Sequence, residues 1–273
     1  MSAVEWGQES PYNKYVTINC NGSNDNCVKG EKANATGCVA VAVSELLAYW
    51  KYPKVIDGTT FNWDNIVKYT GNYGRNNYFN YQWKGSISSN YIIADNVATL
   101  MQKVGVGVNM LYHKDKASST IGDAYSYLLS LGYTSSDGMQ AYSFEKTKKS
   151  LDNKCIVLMR GSRIDDEGER HGHMWTIDGY LQQKQEVITE LKPLDSSQKG
   201  YVRTTYNYKN FVYVNWGWDG SKNGYFLDGV FDSQKGLAFF TDTTPNPTYS
   251  GSTSSYCYKY DMKICTNLKP SKQ

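Results

Sequence analysis

Of the six cysteines in this chain of 273 residues, Cys38 stands apart by its position. It follows Gly37 where Val39, Val43, Leu46, Leu47 and Trp50 begin to recur as one face of a helix running from Thr36 to Lys51. A thiol at a helix start meets the positive end of the dipole and the unpaired amides of the first turn, and both favour the nucleophilic thiolate. By position alone two roles stay open, nucleophile or small core hydrophobe. Cys155 lies in the apolar run Cys155-Ile156-Val157-Leu158-Met159 and reads as an inert core thiol. Cys20 with Cys27, and Cys257 with Cys265, bracket short segments. Either pair could close a small disulfide loop in an oxidising compartment, or stay unpaired.

Only three histidines can serve as a base. His113 sits in the polar run Leu-Tyr-His-Lys-Asp and reads as a surface residue. His171 and His173 flank Gly172, just before the apolar strand Met174–Asp178. His171 adjoins the acidic loop Asp165–Glu169, whereas His173 abuts the strand and takes its rigidity. A base needs fixed geometry, which favours His173. The competing reading is a metal-binding histidine pair, but no ligand-rich run accompanies them. A cysteine at a helix start with a histidine on a distant strand is the arrangement of a thiol protease. A third group should orient the imidazole. Asn215, leading into Trp216-Gly217-Trp218, offers a neutral amide acceptor beside indoles that can exclude water. Such turns also occur as plain structural corners.

These residues need a scaffold of two kinds. Further helices are expected around Ile93–Val104 and from Thr120 to Leu131, stopped by Gly132. Strands are expected at Cys155–Met159, Met174–Tyr180, Glu186–Leu191, Tyr201–Tyr206, Phe211–Trp216, Tyr225–Leu227 and Leu237–Phe240, with a hairpin loop over Lys192–Gly200. Helices first and strands second predict an α+β fold, helical over 1–150 and sheet over 151–247, with a cleft between the halves. The Thr-, Pro-, Ser- and Asn-rich end predicts a surface extension over 248–273. At 40% hydrophobic the chain can bury a substantial core. A net charge of +3, from 29 interleaved basic and 26 acidic residues, gives no footprint for nucleic acid. No apolar run approaches the roughly 20 residues that span a bilayer.

Four segments together resemble the streptopain family of papain-like cysteine peptidases. Ala35-Thr36-Gly37-Cys38-Val39-Ala40, running on to Tyr49-Trp50-Lys51-Tyr52-Pro53, looks like its active-cysteine helix. Gly172-His173-Met174-Trp175 through Tyr180 is similar to its histidine strand. Val214-Asn215-Trp216-Gly217-Trp218-Asp219-Gly220 matches its asparagine–tryptophan motif, and Gln8-Glu9-Ser10-Pro11-Tyr12-Asn13 resembles the segment supplying its oxyanion-hole glutamine. The resemblance implies a papain-like fold and a secreted bacterial endopeptidase, a virulence protease acting on protein or peptide substrates through a thioester. Carried over, Cys38 attacks, His173 moves the proton, Gln8 binds the oxyanion, Asn215 orients His173 and Trp216 covers that contact.

The resemblance further implies a hydrophobic preference just upstream of the scissile residue and an inhibitory prosegment removed before this chain. A monomer, secreted or held at the cell surface or periplasm, is expected, with no cofactor and no metal. The oxygen-rich loop Asn21–Asn26 reads as a solvated turn rather than a calcium site. Departures are a long insertion over Leu181–Asn210, the lack of an evident glycine-rich loop near the C-terminus, and Met174, where a smaller residue is usual. Met174 is expected to narrow the cleft, and the acidic loop Asp165–Glu169 to favour basic substrate side chains. Two other functions fit: a cell-wall peptide amidase with the same groups, or a non-catalytic extracellular binding protein.

Overall fold

The computed structural model describes residues 4–19, 28–69, 87–191, 200–234 and 254–271. The described residues form helices α1 (Cys38–Trp50), α2 (Trp63–Ile66), α3 (Ile87–Gly107), α4 (Ile121–Ser130) and α5 (Phe144–Asp152). The main sheet holds β1 (Met139–Ala141), β2 (Val157–Ile164), β3 (Arg170–Leu191), β4 (Tyr201–Asn215), β5 (Gly224–Leu227) and β6 (Tyr260–Cys265). Its spatial order is β5-β4-β3-β2-β6-β1, and every pairing is antiparallel. The fold is α+β.

Strand alternation divides the interior between the two faces of this sheet. Leu158, Met174 and Cys265 face the helical core built on α1, α3 and α4. Val157, Met159, Trp175 and Ile177 face a second core with Val212, Trp216, Phe226, Phe231 and Tyr258. The helix α1 lies centrally: everything from Val39 to Ala48 is buried, including Ser44 and Glu45. An amphipathic stripe therefore understates it. Polar residues on its other side are covered by the sheet and the N-terminal segment rather than by water.

Three expectations are corrected. Within 248–273 the described residues, 254–271, are not a surface extension, because β6 runs between β2 and β1 inside the sheet. The polar composition before it conceals a strand end buried on both faces, with Ile264 in one core and Cys265 in the other. For the same reason the sheet is not confined to the second half, since β1 belongs to it. Of the two states left open for the Cys257–Cys265 pair, the unbonded one holds, since Cys265 is a free thiol. Finally, the strands expected at Met174–Tyr180 and Glu186–Leu191 are one strand, as are Tyr201–Tyr206 and Phe211–Trp216. The insertion simply prolongs β3 and β4 as a two-stranded ribbon in continuous register from Gly179↔Tyr213 to Leu191↔Tyr201. Cys20, Cys27, the Asn21–Asn26 loop, the strand at Leu237–Phe240 and most of the Lys192–Gly200 loop lie outside the described residues.

Candidate active site

Gly37 sets the start of α1. Its φ of 86° is in the left-handed region, and a Cβ there would lie 2.2 Å from Met110 Cε. Glycine alone satisfies both conditions. It also leaves the first turn without a side-chain cap. The open amides are then available to the next residue's sulfur. Burial pushes the Cys38 thiol up, while hydrogen bonds from the backbone of Met174, Val39 and Cys38 itself, with the charge of Arg160, act in the opposite sense. The contact with Met174 matters most for geometry, because Met174 is the neighbour of His173. The thiol of α1 is thereby seated against the histidine strand.

His173 is buried, and its Nε2 lies 2.9 Å from the carbonyl oxygen of Trp216. Burial pulls its pKa down to about 4, opposed by the Trp216 carbonyl and assisted by the charge of Arg163. The ring is thus neutral at pH 7. A carbonyl can only accept, so the single proton sits on Nε2 and Nδ1 keeps its lone pair. Aromatic rings hold the imidazole on several sides, at centroid distances of 4.8 Å for Trp218, 5.7 Å for Tyr258, 5.8 Å for Trp216 and 6.0 Å for Trp175. Such packing locks the rotamer and excludes water from the Nε2 hydrogen bond.

Asn215 does not fill the orienting role expected of it. Its Nδ2 donates to Val4 O and to Glu45 Oε1, both at 3.0 Å, and its Oδ1 accepts from Gly217 N and Asn223 Nδ2. In the sheet it sits opposite Thr176, three residues beyond His173. The chain then leaves β4, and that turn aims the next carbonyl, Trp216 O, at the ring. Backbone takes the place of side chain. Met174 is 2% exposed and packs with the helical core, so it does not constrict an open cleft.

The Gln8 carbonyl accepts from Thr36 N at 2.8 Å, which ties this segment two residues ahead of Cys38. Trp6 N bonds Glu45 Oε1, and Trp6 O accepts from Asp219 N, so the N-terminal strand of chain is laced to α1 and to the tryptophan turn together. In the acidic loop, Asp165 is bonded to His171 Nε2 at 2.5 Å, and that contact lowers the pKa of Asp165. Ligand atoms of Asp165, Glu169 and His171 lie within 4.8 Å of one another, the one such cluster found among the described residues. Cys155 is buried with its thiol raised by burial, consistent with a core role.

Two side chains of this site, Tyr258 and Glu45, carry no role in the sequence reading, and a third, Trp218, enters it only as one of the indoles beside Asn215. Trp218 stands within the tryptophan motif, and its contact with His173 could have been guessed from proximity to Trp216. Tyr258 comes from the segment expected at the surface. Glu45 was legible only as an acid set among Val43, Ser44, Leu46 and Leu47, seven residues after Cys38.

An α+β molecule with a thiol on its central helix and an imidazole on the facing sheet has the architecture of the papain-like cysteine peptidases. The chain is similar in structure to active interpain A cysteine protease of Prevotella intermedia, with a TM-score of 0.58 and 20% identity over 98% of this chain and 92% of that one. A fragment of its precursor, prointerpain A, gives 0.50 and 18% over 98% and 69%. The chain belongs to the Peptidase C10 family, whose profile matches residues 6–226. Among curated proteins it is similar to streptopain of Streptococcus pyogenes, 24% identical over 262 residues. That alignment covers 85% of this chain and 56% of streptopain, so the chain spans about half the length of that relative.

Proposed function

We propose that this protein is a secreted cysteine endopeptidase in which Cys38 and His173 form the catalytic dyad. His173 Nδ1 takes the Cys38 proton as the sulfur attacks the scissile carbonyl carbon. The developing oxyanion receives hydrogen bonds from the Cys38 amide and the Gln8 side chain. The tetrahedral species collapses to a thioester as His173 returns the proton to the departing amine. Water, deprotonated by His173, then hydrolyses the thioester and frees the thiol. Trp216 serves twice, its carbonyl holding the Nε2 proton and its indole covering the ring. The reading includes protein or peptide substrates, a removed prosegment as inhibitor, and a monomer. No helix among the described residues is long and apolar enough to cross a membrane.

The observation that supports this reading is the buried His173 ring, held through Nε2 on the Trp216 carbonyl so that Nδ1 keeps its lone pair, next to Met174, which shares the helical core with Cys38. Labelling with an epoxide thiol-protease inhibitor, followed by peptide mapping, should place the adduct on Cys38. C38A should lose labelling and casein hydrolysis by about 10³-fold or more. An adduct on Cys155, or cleavage of muropeptides with casein untouched, would remove the endopeptidase assignment.

A further inference from the structure

Glu45 lies on α1 about two turns beyond Cys38 and is fully buried. Its Oε1 accepts from Trp6 N at 3.2 Å and from Asn215 Nδ2 at 3.0 Å, and its Oε2 is 3.2 Å from Thr176 Oγ1. One carboxyl thus joins four pieces of chain: the segment carrying Gln8, the helix carrying Cys38, the strand carrying His173, and the strand end carrying Trp216. Among the described residues no lysine, arginine or histidine forms an ion pair with it. A buried carboxylate without a cation is costly, whereas a neutral acid fully bonded is not.

We propose that Glu45 is a positioning residue for the dyad: as a neutral carboxylic acid it clamps the nucleophile helix to the histidine strand and to the strand end behind it. The proposal rests on the assignment of Cys38 and His173 made above. Desolvation, with the nearby charge of Asp178, holds the Glu45 pKa well above the ordinary value, against the opposing bonds from Trp6, Thr176 and Asn215. With Oε1 accepting twice, the proton belongs on Oε2, and the Thr176 hydroxyl can rotate to accept it. A glutamine keeps the accepting oxygen in place of Oε1 and supplies an N–H in place of the Oε2 hydroxyl, at the cost of one further N–H. An alanine strands the Trp6 N–H and the Asn215 amide.

The test compares wild type with Glu45→Gln, Glu45→Ala and Thr176→Val. Peptide turnover gives kcat and KM, iodoacetamide alkylation of Cys38 gives thiol reactivity across pH, and circular dichroism melting reports folding. E45A should lower kcat and alkylation together by about 10²-fold with KM little changed, the scale of an ångström-level misplacement. E45Q should rescue both to within a few-fold, and T176V should fall between. A group whose folded pKa is raised contributes stability below its unfolded pKa and loses it as pH rises. Wild-type stability should therefore decline above the usual carboxylate range, and E45Q should flatten that decline. E45Q as impaired as E45A would overturn the proposal, as would a folded E45A with wild-type alkylation and kcat. Should E45A not fold, E45Q and T176V decide. A wild type that alkylates at Cys38 yet cleaves no peptide would instead sink the endopeptidase reading and leave the Glu45 comparison standing.

Discussion

At the residue scale the chemistry turns on which atom holds each nitrogen of His173. The Trp216 carbonyl takes the Nε2 proton, and the indoles with Tyr258 keep the ring dry. Dryness disfavours the imidazolium, so the base is unprotonated and ready well into acid. The dependence on pH follows. The folded pKa of about 4 lies below the ordinary 6.5, so kcat/KM should hold across pH 5 and 6 and fall as pH drops through about 4. Stability should also be lost as pH falls from 6.5 towards 4, because there the unfolded chain binds the proton that the folded one refuses. A pH–rate profile with its acid limb near 6.5 would contradict the geometry. Asn215 makes a separate prediction. Asn215→Ala leaves Glu45, Gly217 N and Val4 O short of partners and should cost about 1–3 kcal/mol by denaturant titration. Its acid limb should stay near pH 4, since the partner of the ring is the neighbouring backbone.

At the element scale, α1 both carries Cys38 and forms the centre of the helical core. Its burial on every side explains why a charged residue within it must be neutral or bonded, and Glu45 is bonded. The β3–β4 ribbon is the opposite case. Among the described residues it has two strands beyond Leu181, with Ile188, Val202 and Tyr208 each more than half exposed. Lys184 Nζ caps the Tyr206 ring at 3.7 Å, a local contact that adds little to the core. A two-stranded ribbon without a covering layer contributes little stability to its parent. Replacing residues 183–209 by Asn-Gly, which closes the register at Gln182↔Asn210 as a type I′ hairpin, should leave the melting midpoint within about 3 °C. Small-peptide turnover should be unchanged. A collapse of the melt would show that the ribbon is part of the folding unit.

At the scale of the whole molecule, the C-terminal segment closes the sheet around the site. The strand β6 fills the gap between β2 and β1, Leu268 O accepts from Trp50 Nε1 at the end of α1, and the Tyr258 ring packs at a tilt against His173. Chain ends far apart in sequence therefore meet at one centre, with Val4 and Trp6 arriving from the other terminus. Deleting residues 256–273 should abolish the cooperative thermal transition, because an interior strand is lost and its neighbours' backbone groups are exposed. A truncated chain that melts near the wild-type temperature would restore the reading of this segment as surface.

Local pattern in the chain was enough to locate α1, α3 and α4, the placement of Cys38 at a helix start and of His173 on a strand, and the α+β class, since each depends on residue spacing or on a motif spanning a few neighbours. It did not reveal α5, the passage of β6 through the sheet, the handover from Asn215 to the Trp216 carbonyl, or the bonds of Glu45. Those depend on which distant segments lie side by side. A carbonyl leaves no mark in sequence, and a buried acid looks like a surface one until its partners from β3, β4 and the N-terminus are brought around it.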